Sequence, residues 1–503
     1  MFRQLVSNTV FSGAAFFVAG LLGLVVIPVI IHAYGLTAFG LITLARLFLP
    51  TGFMAIFDFG VSETATLVIA RARVSGSWTL ASSHLSLLVA GSVALGVIAG
   101  GLLYAGSSMG NSLFRIDAAY HESFTAIVQA TSAGLVLLFP GLCLDGIIKG
   151  YERYGLLRLF EVLSAAAYVL SVFVLVAAAY PYQAIAYAFL LTTAAKYVAL
   201  AICILPILCH SAVRLRGWDR NNAREILLRS ALMFHSRLLG VLQGQLPPLL
   251  IGALVGPSGV GTYDALLRLP RFVKSVLALL NSALLPVSAR LNERGDGTGI
   301  MRLGKAGILF LPAITFPVLT GGAFFSEEII REWLGPSMTA LWPWLSLMFA
   351  VPFLSVLLSF GQTLLLIRPT AIAQLNMLLV LQLALQYVLS LALVGLLQER
   401  AFILGQVVAM AITFPLQMRV LLYEHGLPMN LLNDAFVKHA AVTTLLGTLG
   451  IIVKWHWGIH DLWGLAVVYS AWCLLYWGMA YAMLLSGEER AQLRRLVLAA
   501  LGR

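Results

Sequence analysis

About fourteen long apolar runs follow one another along this chain of 503 residues, and that succession limits the fold more than any other feature. A helix of about 20 apolar residues crosses the hydrocarbon layer of a bilayer. The runs fall near 10–33, 40–68, 82–105, 124–147, 159–180, 183–208 and 231–255, then 262–288, 304–325, 340–365, 369–395, 401–423, 437–455 and 461–485. Lipid offers the backbone no hydrogen-bond partner, so each run must close its own bonds as a helix. Composition leaves no room for a soluble alternative: 60% of the residues are hydrophobic and 11% charged, against about 25% charged in soluble domains. One globular core stops growing beyond roughly 250–300 residues and cannot hide so much apolar surface. A secreted enzyme, a cytosolic enzyme, a DNA-binding protein and a disordered scaffold are excluded.

The net charge of +11 reads as membrane topology rather than as a nucleic-acid footprint. Arg3 shares a side with Arg71, Arg73, Lys149, Arg153, Arg158, the basic cluster from Arg214 to Arg229, and Arg290, Arg294, Arg302 and Lys305. Arg368, Arg419, Lys438, Arg490, Arg494, Arg495 and Arg503 complete that side, which holds about two thirds of the 32 basic residues. The opposite connectors hold only Arg115, Arg331, Arg400 and Lys454. An even number of spans with both termini cytoplasmic satisfies the bias, whereas one span more or fewer would destroy it. The run after Arg3 is too long for a cleaved signal and reads as a retained first span.

Two stretches resemble each other. Gly35-Leu-Thr-Ala-Phe-Gly40 follows Pro28 and precedes a span carrying Arg46; about 221 residues on, Gly256-Pro-Ser-Gly-Val-Gly261 follows Pro247 and Pro248 and precedes a span carrying Arg268. Each is expected to form a tight outer turn between two long helices. The same orientation in both copies predicts two six-helix lobes related by an axis along the membrane normal, with a substrate path between them. The expected organisation is therefore an N-terminal lobe at 1–208, a basic cytoplasmic linker at 209–230, a C-terminal lobe at 231–423, and two further helices with a tail at 424–503.

Six basic residues fall inside spans: Arg46, Lys196, Arg237, Arg268, Arg271 and Lys274. Each costs at least about 2.5–3.5 kcal/mol at the centre of a bilayer, so it must face water, a partner or an anion. Asp264, Arg268, Arg271 and Lys274 recur at helical spacing and form a stripe within an arc of roughly 120°. Asp264 can partly neutralise Arg268; Arg271 and Lys274 stay unaccounted for. With Arg46 and Lys196 they would make a cationic surface suited to a phosphate or pyrophosphate. Arg237, near the inner end of its span, reads as snorkelling to the headgroups. Asp58, Glu63 and Asp264 are candidates for coupling or gating, and Pro50, Pro270, Pro312 and Pro317 for bending. Gln382 and Gln386 fit interhelical hydrogen bonding better than sugar binding. Glu327, Glu328 and Glu332 read as a solvated helix end.

No catalytic constellation, Walker motif, metal-ligand spacing or cofactor fingerprint is present in the sequence. Cys143, Cys203, Cys209 and Cys473 lie in or beside apolar runs without a pairing pattern.

The opening, with Tyr34-Gly35-Leu-Thr-Ala-Phe-Gly40 and Asp58-Phe-Gly60 near the end of the second span, resembles the Wzx-type polysaccharide flippases of the multidrug/oligosaccharidyl-lipid/polysaccharide exporter superfamily. The resemblance implies an all-α polytopic transporter of the bacterial inner membrane. Its substrate would be a polyprenyl-pyrophosphate-linked oligosaccharide repeat unit, destined for O-antigen or exopolysaccharide. Membrane lipids, a polysaccharide polymerase and the chain-length machinery would be its partners, and no nucleic acid. A peptidoglycan-precursor flippase and a drug or cation antiporter share the architecture; a membrane glycosyltransferase would need larger outer loops than this chain has.

Overall fold

The computed structural model describes residues 2–58, 60–210, 238–282, 297–365, 369–457 and 461–483, with single positions at 459, 487 and 490. All regular structure among them is helical, as the solvent argument demands. Ten of the described helices are long and apolar enough to cross a membrane, and a further pair, Leu311–Phe324 with Ser326–Trp333, is bent by 68°. The protein is a multi-pass membrane protein. Of the fourteen expected spans, those at 231–255, 262–288 and 461–485 run into residues outside the description, as do Arg237 and most of the basic linker.

The expected continuous span at 40–68 is corrected. α1 (Phe2–Leu47) takes in the first span and the start of the second, with a break at Gly35. Its helix stops at Leu47; a short 3-10 turn (Phe53–Asp58) follows, and α2 (Val61–Ser75) resumes. Pro50 explains the stop, since it has no N–H to donate and disfavours helical backbone at Leu49 before it.

Two compact units make up the chain, one comprising Met1–Ala265 with Leu393–Glu399, the other Leu266–Ala392 with Arg400–Arg503. After α1 and α2, the first unit contains α3 (Trp78–Ala105), α4 (Met109–Leu113), α5 (His121–Gly150), α6 (Tyr154–Ala177), α7 (Gln183–His210), α8 (Leu246–Leu254) and the start of α9 (Pro257–Ser282). α5 is its hub, with α2, α3 and α7 packed on it, while α6 lies along α1. Leu85, Leu135, Phe139, Ile147 and Leu200 fill the space between them. Leu170 and Val174, each 65% exposed, point outward into what must be lipid.

The second unit holds the rest of α9, then α10 (Gly297–Phe324), α11 (Ser326–Trp333), α12 (Trp342–Met348), α13 (Ala350–Leu365) and all but the last residues of α14 (Pro369–Leu397). α15 (Arg400–His425), α16 (Met429–Trp457) and α17 (Leu462–Met483) complete it. α10 packs against α13, α16 and α17, and α13 against α15. Polar side chains here turn inward: the Gln382 carbonyl accepts from Gln417 Nε2 at 3.0 Å and from Thr413 Oγ1 at 3.3 Å across α14 and α15. Gln386 is fully buried in the same place. Gln382 is thus an interhelical contact, whereas neither polar side-chain atom of Gln386 has a hydrogen-bond partner among the described residues.

Candidate functional site

Arg46 closes the last turn of α1 half-buried, in an aromatic setting. Its Nη2 donates to the Tyr168 hydroxyl of α6 at 2.6 Å. Its guanidinium lies over the Phe189 ring of α7 at 4.1 Å and over the Tyr168 ring at 5.1 Å, and those two rings meet edge to face at 5.3 Å. Such contacts lower the cost of burying a cation while leaving its charge in place. The buried Nε has no hydrogen-bond partner, and no carboxylate lies within ion-pair distance of Arg46 among the described residues. A site that holds an arginine on π faces and a neutral phenol keeps its full positive charge for something else.

Lys196 lies seven residues beyond Phe189 on α7, two turns along the same face and about 10 Å further down the axis. Its ammonium rests 4.0 Å from the centroid of the neighbouring Tyr197 ring. Tyr197 in turn donates to Asp145 Oδ2 of α5 at 3.4 Å, while Asp145 Oδ1 is buried without a hydrogen-bond partner. The tie of Asp145 to Tyr197 becomes visible only once α5 and α7 are packed. On the same end of α5, Lys149 donates to Ser62 of α2 at 3.3 Å. Glu63, next to Ser62, is exposed, and the side chain of Asp58 lies outside the described residues.

The two similar glycine stretches share one local form, and it is not the expected turn. Gly35 (φ 81°) and Gly256 (φ 109°) take a backbone conformation that a side chain rarely adopts, and each breaks the chain immediately before a helix. Residues 36–40 and 257–261 are then helical. The second glycine of each copy serves a close crossing instead. A Cβ on Gly40 would overlap the Pro257 carbonyl, and one on Gly261 would lie 2.5 Å from the Leu36 carbonyl. The contact is reciprocal, because Leu36 and Pro257 occupy matching positions of the two copies. Thr43 and Asp264 match as well, and the Thr43 hydroxyl donates to Asp264 Oδ2 at 3.5 Å with both residues buried. Asp264, expected beside Arg268, thus also has a partner on α1.

Beyond Ala265, α9 carries the basic stripe into the second unit. Arg268 and Arg271 are half-buried and both engage neighbouring groups, whereas Lys274 is exposed.

The expected solvated helix end at Glu327, Glu328 and Glu332 is corrected by α11. Ile329 and Ile330 bury one side of this short helix, and the 8%-exposed Glu328 side chain goes in with them. Lys454 of α16 meets it at 3.0 Å and also donates to the Phe324 carbonyl at 2.9 Å. A buried carboxylate needs such a partner, and no spacing along the chain points to one 126 residues away. Arg331 of the same helix donates to the Ile459 carbonyl.

Among the described residues no group of three or more His, Cys, Asp and Glu is arranged to hold a metal ion.

The fold has known counterparts. It is similar to the lipid II flippase MurJ in an inward closed conformation, with TM-score 0.73 and 11% identity over 98% of this chain and 100% of that one. A Vibrio cholerae MATE transporter, VcmN, matches at TM-score 0.57 and 15% identity over 84% of this chain and 96% of its own. An inward-facing multidrug resistance MATE family transporter of the MOP superfamily matches at TM-score 0.55 and 13% identity, covering 82% and 94%. No curated protein sequence matches significantly. The family model described as polysaccharide biosynthesis protein matches residues 5–292, more than half of the chain. The fold is the one seen in these solved membrane proteins, and the chain belongs to the polysaccharide biosynthesis protein family.

Proposed function

We propose that the protein flips polyprenyl-pyrophosphate-linked oligosaccharide repeat units across the bacterial inner membrane by alternating access, for O-antigen or exopolysaccharide assembly. The observation that carries this reading is Arg46: a cation within a membrane helix, held by Tyr168 and Phe189 with no carboxylate among the described residues to cancel it. A drug-cation carrier would be penalised by that charge, whereas a pyrophosphate would be drawn to it. Lys196, on the same face of α7, extends the basic track, and Arg268, Arg271 and Lys274 add three cations on α9. In this mechanism Arg46 and Lys196 on the first unit, and Arg268, Arg271 and Lys274 on the second, are each candidates to hold the pyrophosphate, the glycan follows it through a watery path, and the polyprenyl tail stays in lipid.

Further parts of the proposal rest on the sequence. Both termini are cytoplasmic, and the lobes at 1–208 and 231–423 are joined by the basic linker 209–230, with 424–503 appended. Asp58, Glu63 and Asp264 serve coupling or gating; Asp264 is favoured for gating by its contact with Thr43 at the glycine crossing. A polymerase and the chain-length machinery receive the product.

A second reading has its own support. The near-complete overlay on MurJ favours a flippase for the peptidoglycan precursor, another anionic lipid-linked sugar. Deleting the protein in its host separates the two. Accumulation of lipid-linked repeat units with loss of surface polysaccharide is the expected result. Accumulation of the peptidoglycan precursor with lysis would transfer the assignment to the second reading, and normal polysaccharide with altered sensitivity to cationic drugs would refute both. Arg271→Ala and Lys274→Ala should impair export at unchanged abundance; normal surface polysaccharide in both would remove the stripe from the site.

A further inference from the structure

A cavity of about 490 Å3 opens on the second unit where α10, α12, α16 and α17 meet, at the end of the spans that the charge bias assigns to the outside. Its volume is within the roughly 300–1,000 Å3 typical of small-molecule sites. Phe324, Trp342 and Trp472 supply aromatic walls, and Ile451, 61% exposed, continues the opening along the lipid-facing side of α16. Trp472 is fixed by donating to the Pro317 carbonyl at 3.1 Å and by stacking on Phe324, with centroids 5.1 Å apart. Tryptophans at this level belong to the interface, where one side of the ring meets headgroups and the other meets acyl chains.

Two charges of opposite sign line the same cavity. Glu327 is exposed and has no partner among the described residues. The Lys454 ammonium is ion-paired with Glu328 at 3.0 Å and donates to the Phe324 carbonyl at 2.9 Å, which leaves N–H capacity among its three donors. Ser346 and Thr443 also line the cavity.

We propose that this cavity holds the headgroup of an ethanolamine phospholipid from the surrounding bilayer, with its primary ammonium on Glu327 and its phosphate on the free N–H of Lys454. Charge complementarity selects that occupant. A glycerol phosphate headgroup brings only a negative charge and is repelled by Glu327. A choline headgroup carries a cation but no N–H, so it cannot hydrogen-bond a carboxylate. An ethanolamine headgroup has both a donor ammonium and a phosphate, joined by a link short enough for one cavity, and its acyl chains leave past Ile451. Nothing in this site depends on what the transporter carries.

The test is competitive lipid retention by the full-length, delipidated protein, read by native mass spectrometry in mild detergent with equimolar dioleoyl phosphatidylethanolamine, phosphatidylglycerol and phosphatidylcholine. The ethanolamine lipid is expected to be retained roughly fivefold over each of the others, a modest preference for a partly exposed charged hydrogen bond. Glu327→Gln should erase the preference without shifting the thermal midpoint, because Glu327 is exposed and has no partner among the described residues. Lys454→Met combined with Glu328→Gln removes the phosphate donor without stranding a buried carboxylate, and should lower retention of the ethanolamine lipid as well. Equal retention of the three lipids by the wild type, or an undiminished preference in Glu327→Gln, overturns the proposal.

Discussion

Arg46 in the first unit and Lys454 in the second both rest against pairs of aromatic rings, yet their charges are handled in opposite ways. Arg46 meets a phenol and two π faces, so its charge survives burial. Lys454 lies 4.5 Å from the Phe324 centroid and 5.3 Å from that of Phe325, and Glu328 cancels it at 3.0 Å. The difference teaches how to sort membrane cations. A basic residue neutralised by a buried carboxylate is part of the scaffold, and one supported only by quadrupoles and a neutral hydroxyl keeps a field that an anion can use.

The strongest way to break the comparison is at the scaffold end. Lys454→Met strands Glu328 as a buried charge and should cost about 3–5 kcal/mol of stability, seen as lower abundance and a lower thermal midpoint. Adding Glu328→Gln should restore most of it. If the double variant is no more stable than the single one, Glu328 is not what Lys454 serves.

Next comes Arg46→Met, which should leave the thermal midpoint close to wild type while export of surface polysaccharide falls about tenfold, equivalent to about 1.4 kcal/mol in the binding or transport step. A large loss of stability with normal export per molecule would instead make Arg46 a scaffold residue like Lys454. Arg46→Lys sharpens the point, because a lysine keeps the charge but lacks the planar fork that stacks on Phe189 and reaches the phenol; partial export is expected.

Smaller effects test the support around Arg46. Tyr168→Phe removes the 2.6 Å acceptor and leaves another guanidinium nitrogen unsatisfied, for a cost of about 1–3 kcal/mol. Phe189→Leu keeps the bulk and removes the π face, and should cost only about 0.5–1 kcal/mol by differential scanning fluorimetry. A larger loss for Phe189→Leu than for Tyr168→Phe would mean that the ring rather than the hydroxyl carries the arginine.

Much of this was legible in the residues. Long apolar runs identified a polytopic helical membrane protein, and the few residues around Gly35 and Gly40 pointed to the family that the match over 5–292 established. The two glycine stretches were recognised as related, but their job was misread. Gly40 and Gly261 are needed where two helices cross, and spacing alone cannot separate a glycine that permits a turn from one that permits a close approach. Arg46 and Lys196 stood out as intramembrane cations; the partners that decide their roles did not. Tyr168 lies 122 residues from Arg46, and no periodicity links them. Glu328 looked like surface because its neighbours Glu327 and Glu332 are acidic too, whereas the 68° bend before α11 turns this carboxylate inward and leaves Glu327 out.

The division has a physical origin. The free energy of moving a helix from water to lipid adds up residue by residue along one segment, so the sequence by itself determined that this chain crosses a membrane many times and approximately where. What each inward-facing charge meets depends on how every helix is rotated about its axis and how deeply it sits. Side-chain packing between distant segments sets those quantities, so only the tertiary structure decided that Lys454 meets a carboxylate and Arg46 meets a phenol and two rings.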